Sequence, residues 1–533
     1  MNPSVFDVAV IGGGVVGCAV FRRFCLMGAK SVLLEKGGDI LSGASKANSA
    51  LLHTGFDAPP GSLELECMRA GYREFFELKD KLPLPVLQSG AFVVAWTEEQ
   101  LAALPGIVGQ AHRNGVMDVA QVEAGVLYRH EPALGAGALG AVQVPGESII
   151  DAWTAPLAYF LQGLKHGGAH RFRCEVRGAS FDGSAWSLQS TRGEIRARLV
   201  INCAGLQGDI VDGFWHEPGF QIKPRKGQFL IFDKPASKLL NAIILPVPTP
   251  TTKGVLLTRT IFGNLLLGPT AEEQEDRERA EVAGPQLNDL IEKGRRILPR
   301  LADYSVTATY AGLRTATEKK EYRISHYPDK QWITVGGIRS TGLTSALGIA
   351  QYLEKTYDEA FAPLFPRRPM PELIRPELPR LSEYSTRDYA RAGNGGIICH
   401  CERVTLRDIR SALDSDAPPE CLGGLRRRSR VLMGRCNGFF CSHRVAEIVG
   451  DRFDDAPAPR ETGAGKTGAG KNEAGTPEER APGRQPAHVP PAESQEEWPP
   501  PVPLEGRPPR RPFFGEPFGE PAAVPARPSR LSA

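Results

Sequence analysis

The chain has 533 residues, long enough for two or three domains, with 41% hydrophobic and 23% charged residues, an ordinary balance for a soluble protein. A formal net charge of +3 predicts neither strong attraction to nucleic acid nor an acidic interaction tail. No run approaches the roughly 18 apolar residues that cross a bilayer, and ten cysteines are few for a secreted disulfide scaffold of this length.

Asp7 to Ile11 is a short apolar run, followed by Gly12-Gly13-Gly14-Val15-Val16-Gly17 and a helix-like segment through Leu26. Ser31 to Leu34 is a second apolar run, ending in Glu35-Lys36. Strand, glycine turn, helix, strand and acid fall in the order that dinucleotide binding requires. Gly12 allows the tight turn, Gly14 lets a pyrophosphate approach the backbone, and Gly17 lets helix and strand pack. The helix N-terminus faces the phosphates, and Glu35 accepts the ribose hydroxyls. The motif begins by residue 7, which leaves no room for a targeting peptide, so the expected compartment is the cytoplasm.

Residues 42–55 are mostly small or hydroxyl-bearing up to Leu51. Ala44, Ser45, Asn48 and Ser49 suit a loop that lies against a planar ligand; the same composition also suits a solvated loop. The glycine motif, Glu35-Lys36, and Ala47-Asn48-Ser49 leading to Leu52-His53-Thr54-Gly55 resemble the FAD-dependent dehydrogenases and oxidases of the D-amino-acid-oxidase (DAO) superfamily. The nearest branch is that of FAD-linked glycerol-3-phosphate dehydrogenases and oxidases, with L-2-hydroxyglutarate dehydrogenases close by. The resemblance runs from about residue 5 to about residue 360 and adds Lys36 and Leu51 to the implied FAD contacts.

Further along, Leu63 to Leu78 is helical in its periodicity, Gly90 to Ala95 is strand-like, and Trp153 to Gly163 is helical. Arg173 to Val176 reads as a short strand, and the resemblance places Val176 at the adenine side of FAD. Ala197 to Gly205 is an apolar strand ending in small residues. It resembles the family's second FAD-contacting turn, at Gly205. Cys203 beside it reads as a packed, inert thiol. Lys226–Phe232, Ile243–Pro248, Lys253–Leu257 and Asn264–Pro269 alternate with turn signals, as a mixed or antiparallel sheet would. Ala271 to Leu301 reads as charged and helical. Ile333 to Gly337 is a strand, followed by a glycine turn and a helix to Tyr357. The resemblance assigns Gly337, Ser340, Gly342, Leu343 and Thr344 to the flavin end of the cofactor, where a helix N-terminus stabilises developing negative charge.

The resemblance also supplies three substrate-site residues. His53 matches a histidine above the flavin that takes a hydroxyl proton, the alternative being a ring packed on the isoalloxazine. Arg314 and Lys253 match cations that hold the anionic end of the substrate, the alternative being surface ion pairs. One departure stands out: Phe56-Asp57 replaces the Arg-Tyr pair of membrane-type glycerol-3-phosphate dehydrogenases, though oxidase-like members share the aspartate.

After a Pro-, Arg- and Glu-rich stretch, Cys399-His400-Cys401 and Cys436-Asn437-Gly438-Phe439-Phe440-Cys441 give a CxC and a CxxxxC pair 34 residues apart. Four such thiolates suit a soft metal site, and the CxC pairing counts against zinc. A quartet kept for packing is the bland alternative. The stretch resembles the 2Fe-2S domain of bacterioferritin-associated ferredoxin (BFD), which implies Cys399, Cys401, Cys436 and Cys441 as cluster ligands. Thr405 caps a helix to Leu413, Cys421 matches no ligand position, and Arg426 to Arg430 reads as a solvated basic face or a dock for an acidic partner. Gly465-Lys466-Thr467 looks like the end of a phosphate loop, but Arg460 stands where the first glycine belongs.

The expected fold class is α/β. A Rossmann-like FAD-binding domain carries an inserted mixed-sheet substrate domain, and a small Cys-rich domain and a disordered tail follow. The expected boundaries are 1–362 for the oxidoreductase, with the substrate domain mainly at 80–145 and 215–330. The linker is 363–393, the BFD-like domain 394–452 and the tail 453–533. The expected function is oxidation of a small anionic alcohol, foremost glycerol 3-phosphate to dihydroxyacetone phosphate. The alternatives are an L-2-hydroxyglutarate dehydrogenase or an amine- or amino-acid-oxidising subunit of a hetero-oligomeric electron-transfer complex. Electrons leave through FAD and a 2Fe-2S cluster to a quinone or protein acceptor, from the cytoplasm or from a peripheral seat on the inner face of the membrane. No nucleic acid is expected as a partner.

Overall fold

A computed structural model of the chain describes residues 5–249, 254–368 and 371–455. The chain divides into compact units at 1–460 and 461–533, and every described residue belongs to the first. Lys253, the Gly465-Lys466-Thr467 stretch and the expected tail from residue 456 onward lie outside the described residues.

Apolar strands without polar alternation are buried on both faces, and the first sheet is built from such strands. Its parallel core runs Ala169–Arg171, Ser31–Leu34, Phe6–Ile11, Gly193–Asn202 and Trp332–Gly336. Ser31 to Leu34 are all buried, and Val8 to Ile11 are at most 5% exposed. The register brings Ile11 level with both Leu34 and Asn202, so several strands end on one line. Glycine turns or acids follow those ends at Gly12, Glu35, Gly205 and Gly337. The carboxyl edge of a parallel sheet is where such folds bind ligands.

Helix Val15–Leu26 covers one face, with Cys18, Val20, Phe21 and Phe24 in the core. Helix Gly342–Ala360 packs beside it and against helix Leu63–Leu78. The second crossing is backbone on backbone: a Cβ on Gly71 would lie 2.1 Å from the Thr344 carbonyl oxygen, and one on Gly348 2.0 Å from that of Cys67. Only glycine fits at either position.

The second sheet is mostly antiparallel. It orders Glu272–Glu273, Arg225–Phe232, Leu265–Gly268, Leu256–Arg259, Ile243–Pro246, Ala91–Ala95, Gly140–Val144 and Ala120–Glu123, with Val306–Arg314 pairing on Arg225–Phe232. Helices Glu98–Arg113 and Gly284–Ile297 cover it. Three sequence readings change here. The helix expected over 271–301 is confined to Gly284–Ile297, because Glu272–Glu273 pairs as a strand on Arg225–Phe232 and Pro285 opens the helix; Arg277, between them, pairs with Asp209 (2.8 Å at Oδ2). The strand expected at Arg173–Val176 is broken. Arg173 takes φ 51°, its guanidinium donates to Asp454 (2.8 Å), and the next strand starts at Val176. The strand expected from Lys253 is seen from Leu256.

The described residues 371–393 contain one short 3-10 helix, Asp388–Ala390, yet bury Leu381, Ser382 and Arg387. Beyond them, Ile397–Cys399 and Val404–Thr405 pair as a small ribbon. Helices Leu406–Leu413, Leu422–Ser429 and Ser442–Val449 follow. Thr405 and Asp408 form the capping box that the Thr405 reading anticipated, each side chain accepting the other's backbone N–H. No helix among the described residues is long and apolar enough to cross a membrane.

Candidate functional site

The carboxyl edge of the parallel sheet opens into one cavity of ≈ 1730 Å³ that extends under the second sheet. Its wall at the first strand is the glycine turn. Gly12 takes φ +104°, and a Cβ there would lie 2.4 Å from the Cys203 carbonyl oxygen. A Cβ on Gly17 would lie 1.9 Å from the Gly12 carbonyl oxygen, so helix and turn meet without side chains between them. Gly14 meets only the Ser45 hydroxyl, 3.3 Å from where its Cβ would be, and that hydroxyl accepts the Val15 N–H at 3.1 Å. This is an open cradle at a helix N-terminus, which suits a pyrophosphate. Glu35, 6% exposed, accepts the N–H groups of Gly13 and Gly37, both at 2.7 Å. Burial raises its pKa, opposed by those two donors. Glycine turn, helix terminus and acid all fit the adenosine diphosphate half of FAD.

The cavity also gathers most of the other expected cofactor residues: Lys36, Ala44, Ser45, Asn48, Ser49, Val176, Gly205, Gly337, Ser340, Gly342 and Leu343. Three expected residues stand behind the wall. Gly17 packs on Gly12, Leu51 is 3% exposed in the core, and Thr344 accepts the His53 N–H through its hydroxyl at 3.0 Å. Lys36 pairs with Glu278 at 2.8 Å on the rim. Cys203 lies behind the glycine turn, where burial pushes its thiol pKa up, as an inert packed thiol requires.

His53 lines the cavity and is held by a residue that the sequence reading missed. Its Nδ1 lies 2.8 Å from Glu147 Oε2, while Glu147 Oε1 accepts the Thr54 N–H at 2.7 Å and the Thr54 hydroxyl at 3.0 Å. Glu147 is fully buried. Facing a carboxylate, which only accepts, Nδ1 is the ring nitrogen that carries a proton. The signal for Glu147 is an acid in the turn Pro145-Gly146-Glu147, set between the buried strands Gly140–Val144 and Ser148–Ile150.

Arg314 enters the same cavity from the end of its strand. The register sets it directly opposite Arg225, two cations face to face across an antiparallel pair. Like charges there are destabilising unless an anion or acid answers them. Arg225 meets Glu273 at 3.2 Å. Arg314 reaches two backbone carbonyls, of Lys226 and Thr270, each at 3.3 Å, and forms no carboxylate ion pair among the described residues. Burial, then the charges of Arg225 and Arg339, lowers its pKa to about 10. A desolvated cation beside like charges is a seat for an anion. Phe56 and Asp57, the departure noted above, both line the cavity, Phe56 with its ring largely buried.

The four expected cluster cysteines lie together, apart from this cavity. Cys399 interacts with Cys441, and Cys401 with Cys436. Cys399 and Cys441 are buried, and Cys401 and Cys436 are half-buried. The Cys441 thiol and the N–H groups of Glu402 and Leu432 pull Cys399 down to about 6 against burial. No group of three or more His, Cys, Asp or Glu side chains converges as a single metal ion would require among the described residues. Cys421 caps helix Leu422–Ser429, accepting the Gly424 N–H at 3.3 Å.

The basic run corrects the sequence reading. Arg428 and Arg430 are 4% and 6% exposed. Arg428 donates to Asp39 (3.0 Å at Oδ2), Arg427 to the Ile40 carbonyl (2.9 Å) and Arg430 to Glu402 (2.8 Å). Only Arg426 of the three helical arginines faces solvent; Arg427 and Arg428 grip the loop that follows Glu35.

The model of the DAO family, described as FAD dependent oxidoreductase, matches residues 7–356. A glycerol 3-phosphate dehydrogenase from Caloramator mitchellensis is 32% identical over 459 residues, covering 84% of this chain and 94% of that protein. A glycerol 3-phosphate oxidase from Mycoplasma pneumoniae is 27% identical over 65% of this chain and 92% of its own length. An L-2-hydroxyglutarate dehydrogenase from Nematostella vectensis is 27% identical over 60% of this chain and 75% of its own. The solved structure of L-alpha-glycerophosphate oxidase from Mycoplasma pneumoniae with FAD bound shares the fold, with TM-score 0.62 and 22% identity over 67% of this chain and 95% of that one.

Proposed function

The chain belongs to the DAO family of FAD-dependent oxidoreductases, and on that premise we propose that it oxidises glycerol 3-phosphate to dihydroxyacetone phosphate. The observation that carries this reading is the meeting of His53, fixed by Glu147, and Arg314, facing Arg225, in the cavity that the dinucleotide cradle lines. The Gly12–Gly17 turn, Glu35 and the 42–49 loop would hold FAD, which would supply a two-electron oxidant able to take a hydride. Arg314 grips the phosphate, with Lys253 as the second cation. His53 Nε2 removes the hydroxyl proton, and Glu147 balances the charge left on the ring. Thr344 fixes the backbone of His53. Helix Gly342–Ala360 sets its N-terminus at the flavin end of the cavity.

For the electrons' exit we assign Cys399, Cys401, Cys436 and Cys441 to a 2Fe-2S cluster. Two interacting thiol pairs suit a cluster in which each of two irons takes two cysteines. The Caloramator relative is aligned well past the end of the family match. A cluster beyond the flavin favours a dehydrogenase that hands electrons singly to a quinone or protein acceptor. L-2-hydroxyglutarate is the second substrate reading. Phe56-Asp57 favours it, because Asp57 on the cavity wall repels a phosphate more than a carboxylate. An anaerobic absorbance spectrum decides between them. Flavin bands with an iron–sulfur shoulder that glycerol 3-phosphate bleaches support the first reading. Bleaching by L-2-hydroxyglutarate alone replaces it, and bleaching by neither removes both.

A further inference from the structure

Trp153 begins helix Thr154–Lys165, and its indole Nε1–H donates to the Lys46 carbonyl at 3.2 Å, in the loop that lines the cofactor cavity. Phe262 is at the tip of the hairpin between strands Leu256–Arg259 and Leu265–Gly268. The two rings stack at 24°, centroids 5.4 Å apart. Arg430 closes the group, its guanidinium 3.9 Å from the Phe262 centroid and 6.0 Å from that of Trp153. Arg430 is itself set by its hydrogen bond to Glu402, which directly follows Cys401. Residues far apart in the chain, one each from the cofactor half, the second sheet and the cysteine segment, thus meet at one half-buried joint.

The chemistry of this joint differs from that of an ordinary core. Guanidinium stacked on an aromatic face is attractive and directional, and a flat Arg between a ring and a carboxylate is held in one orientation. Arg430 takes the left-handed backbone, φ 65°, that ends helix Leu422–Ser429, with its N–H on the Arg426 carbonyl at 2.7 Å. A second anchor, Arg428 on Asp39, is 389 residues apart in sequence and keeps the same segment against the loop after Glu35. A second point of contact leaves the segment only rotation about the line joining the two.

We propose that Trp153, Phe262 and Arg430 are positioning residues for internal electron transfer: the stack holds the cysteine quartet at a set distance from the flavin cavity. The proposal rests on the cluster reading above. Oxidation of the alcohol to the ketone removes two electrons and two protons, one proton within the hydride and one from the hydroxyl; a 2Fe-2S cluster held by the four cysteines would take up one electron at a time, and a one-electron protein or quinone acceptor would reoxidise it before the second. Transfer of this kind falls steeply with separation, so a loosened joint slows it without touching substrate oxidation.

The test uses full-length protein loaded with FAD and iron, and the variants Phe262→Leu and Arg430→Lys. The lysine keeps the charge toward Glu402 but loses the flat stack. Anaerobic rapid mixing with glycerol 3-phosphate follows flavin bleaching and iron–sulfur bleaching separately. Amide hydrogen exchange follows residues 397–436. Expected are unchanged iron content, unchanged flavin bleaching, cluster bleaching slowed about tenfold or more, and faster exchange in the cysteine segment. Cluster bleaching at the wild-type rate in both variants, with iron retained, overturns the proposal alone. A wild-type protein without iron–sulfur bands overturns the cysteine reading and the proposal with it. Flavin bleaching slowed in step with cluster bleaching also overturns it, because the joint then serves the cofactor cavity itself.

Discussion

The cofactor cavity and the cysteine segment are stabilised in different ways. Around the cavity, elements meet backbone to backbone: Gly17 on Gly12, Gly71 on Thr344, Gly348 on Cys67. Beneath them lies a large apolar core that includes Phe21, Phe24, Phe75 and Phe160. The cysteine segment has a core of twelve buried residues, two of which are Cys399 and Cys441. A unit of about 60 residues is marginal without further bonds. Its extra bonds are polar and directional: Arg428 to Asp39, Arg430 to Glu402, Arg173 to the Glu420 carbonyl and Asp454. Shape decides the first region, and charge and thiol chemistry decide the second.

This contrast can be broken from either side. The largest effect is expected from Gly17→Val. A side chain that begins 1.9 Å from a carbonyl oxygen cannot be absorbed, so a loss above about 4 kcal/mol is expected. The purified protein should carry no FAD and melt without a cooperative transition. Cys436→Ser is the counterpart: it should empty the iron, measured by metal analysis, while FAD stays bound. Loss of FAD in both variants would erase the distinction.

Within the cavity, His53→Ala should lower kcat by roughly 10²–10⁴-fold, the usual weight of a general base. Glu147→Gln keeps the shape but weakens a charge-assisted bond of about 1.5–3 kcal/mol, so a fall of roughly ten- to hundredfold is expected. Steady-state kinetics with an artificial dye reads both, and Glu147→Gln at wild-type rate would show that the carboxylate only packs. Arg314→Lys removes the two-pronged grip and should act mainly on KM, raising it about tenfold. A change in kcat alone would move Arg314 out of phosphate binding.

Asp39→Asn should be milder. The amide still accepts from Arg428 but loses its charge, at about 1–2 kcal/mol. Limited proteolysis should show earlier cutting within 371–393, with FAD still bound. The smallest effect is a pH response in the second sheet. Glu131 is fully buried and accepts the Asn241 and Ala242 N–H groups; burial raises its pKa to about 7. A carboxyl with a raised folded pKa stabilises fully below its ordinary pKa near 4.5 and loses that contribution as pH rises through about 7. Melting of the main unit should therefore weaken across that window, and Glu131→Gln should flatten the slope. A response confined to the cysteine segment would contradict this placement.

Much of the cavity was legible because it is local. A glycine turn, a helix start and an acid at a strand end occupy fixed offsets, and each constrains its own few residues. The helices Leu63–Leu78 and Thr154–Lys165, and the cap at Thr405, were legible for the same reason. Arg173 to Val176 was misread because its four residues have strand-like chemistry, while the Arg173 and Cys174 N–H groups bond to the Gly37 and Glu35 carbonyls and Arg173 takes φ 51°. The arginine run was misread because charge density predicts solvent unless a buried acid 389 residues away answers it.

By itself the sequence determined the family and the strand–glycine turn–helix that opens it, because these depend on residue type and short spacing. Only the tertiary structure decided that Glu147 holds His53, that Arg225 faces Arg314, and that Trp153, Phe262 and Arg430 form one stack. Those pairings join strands, hairpins and helices brought together by the packing of two sheets. No local pattern encodes them, because each is fixed by where the whole chain buries its apolar surface.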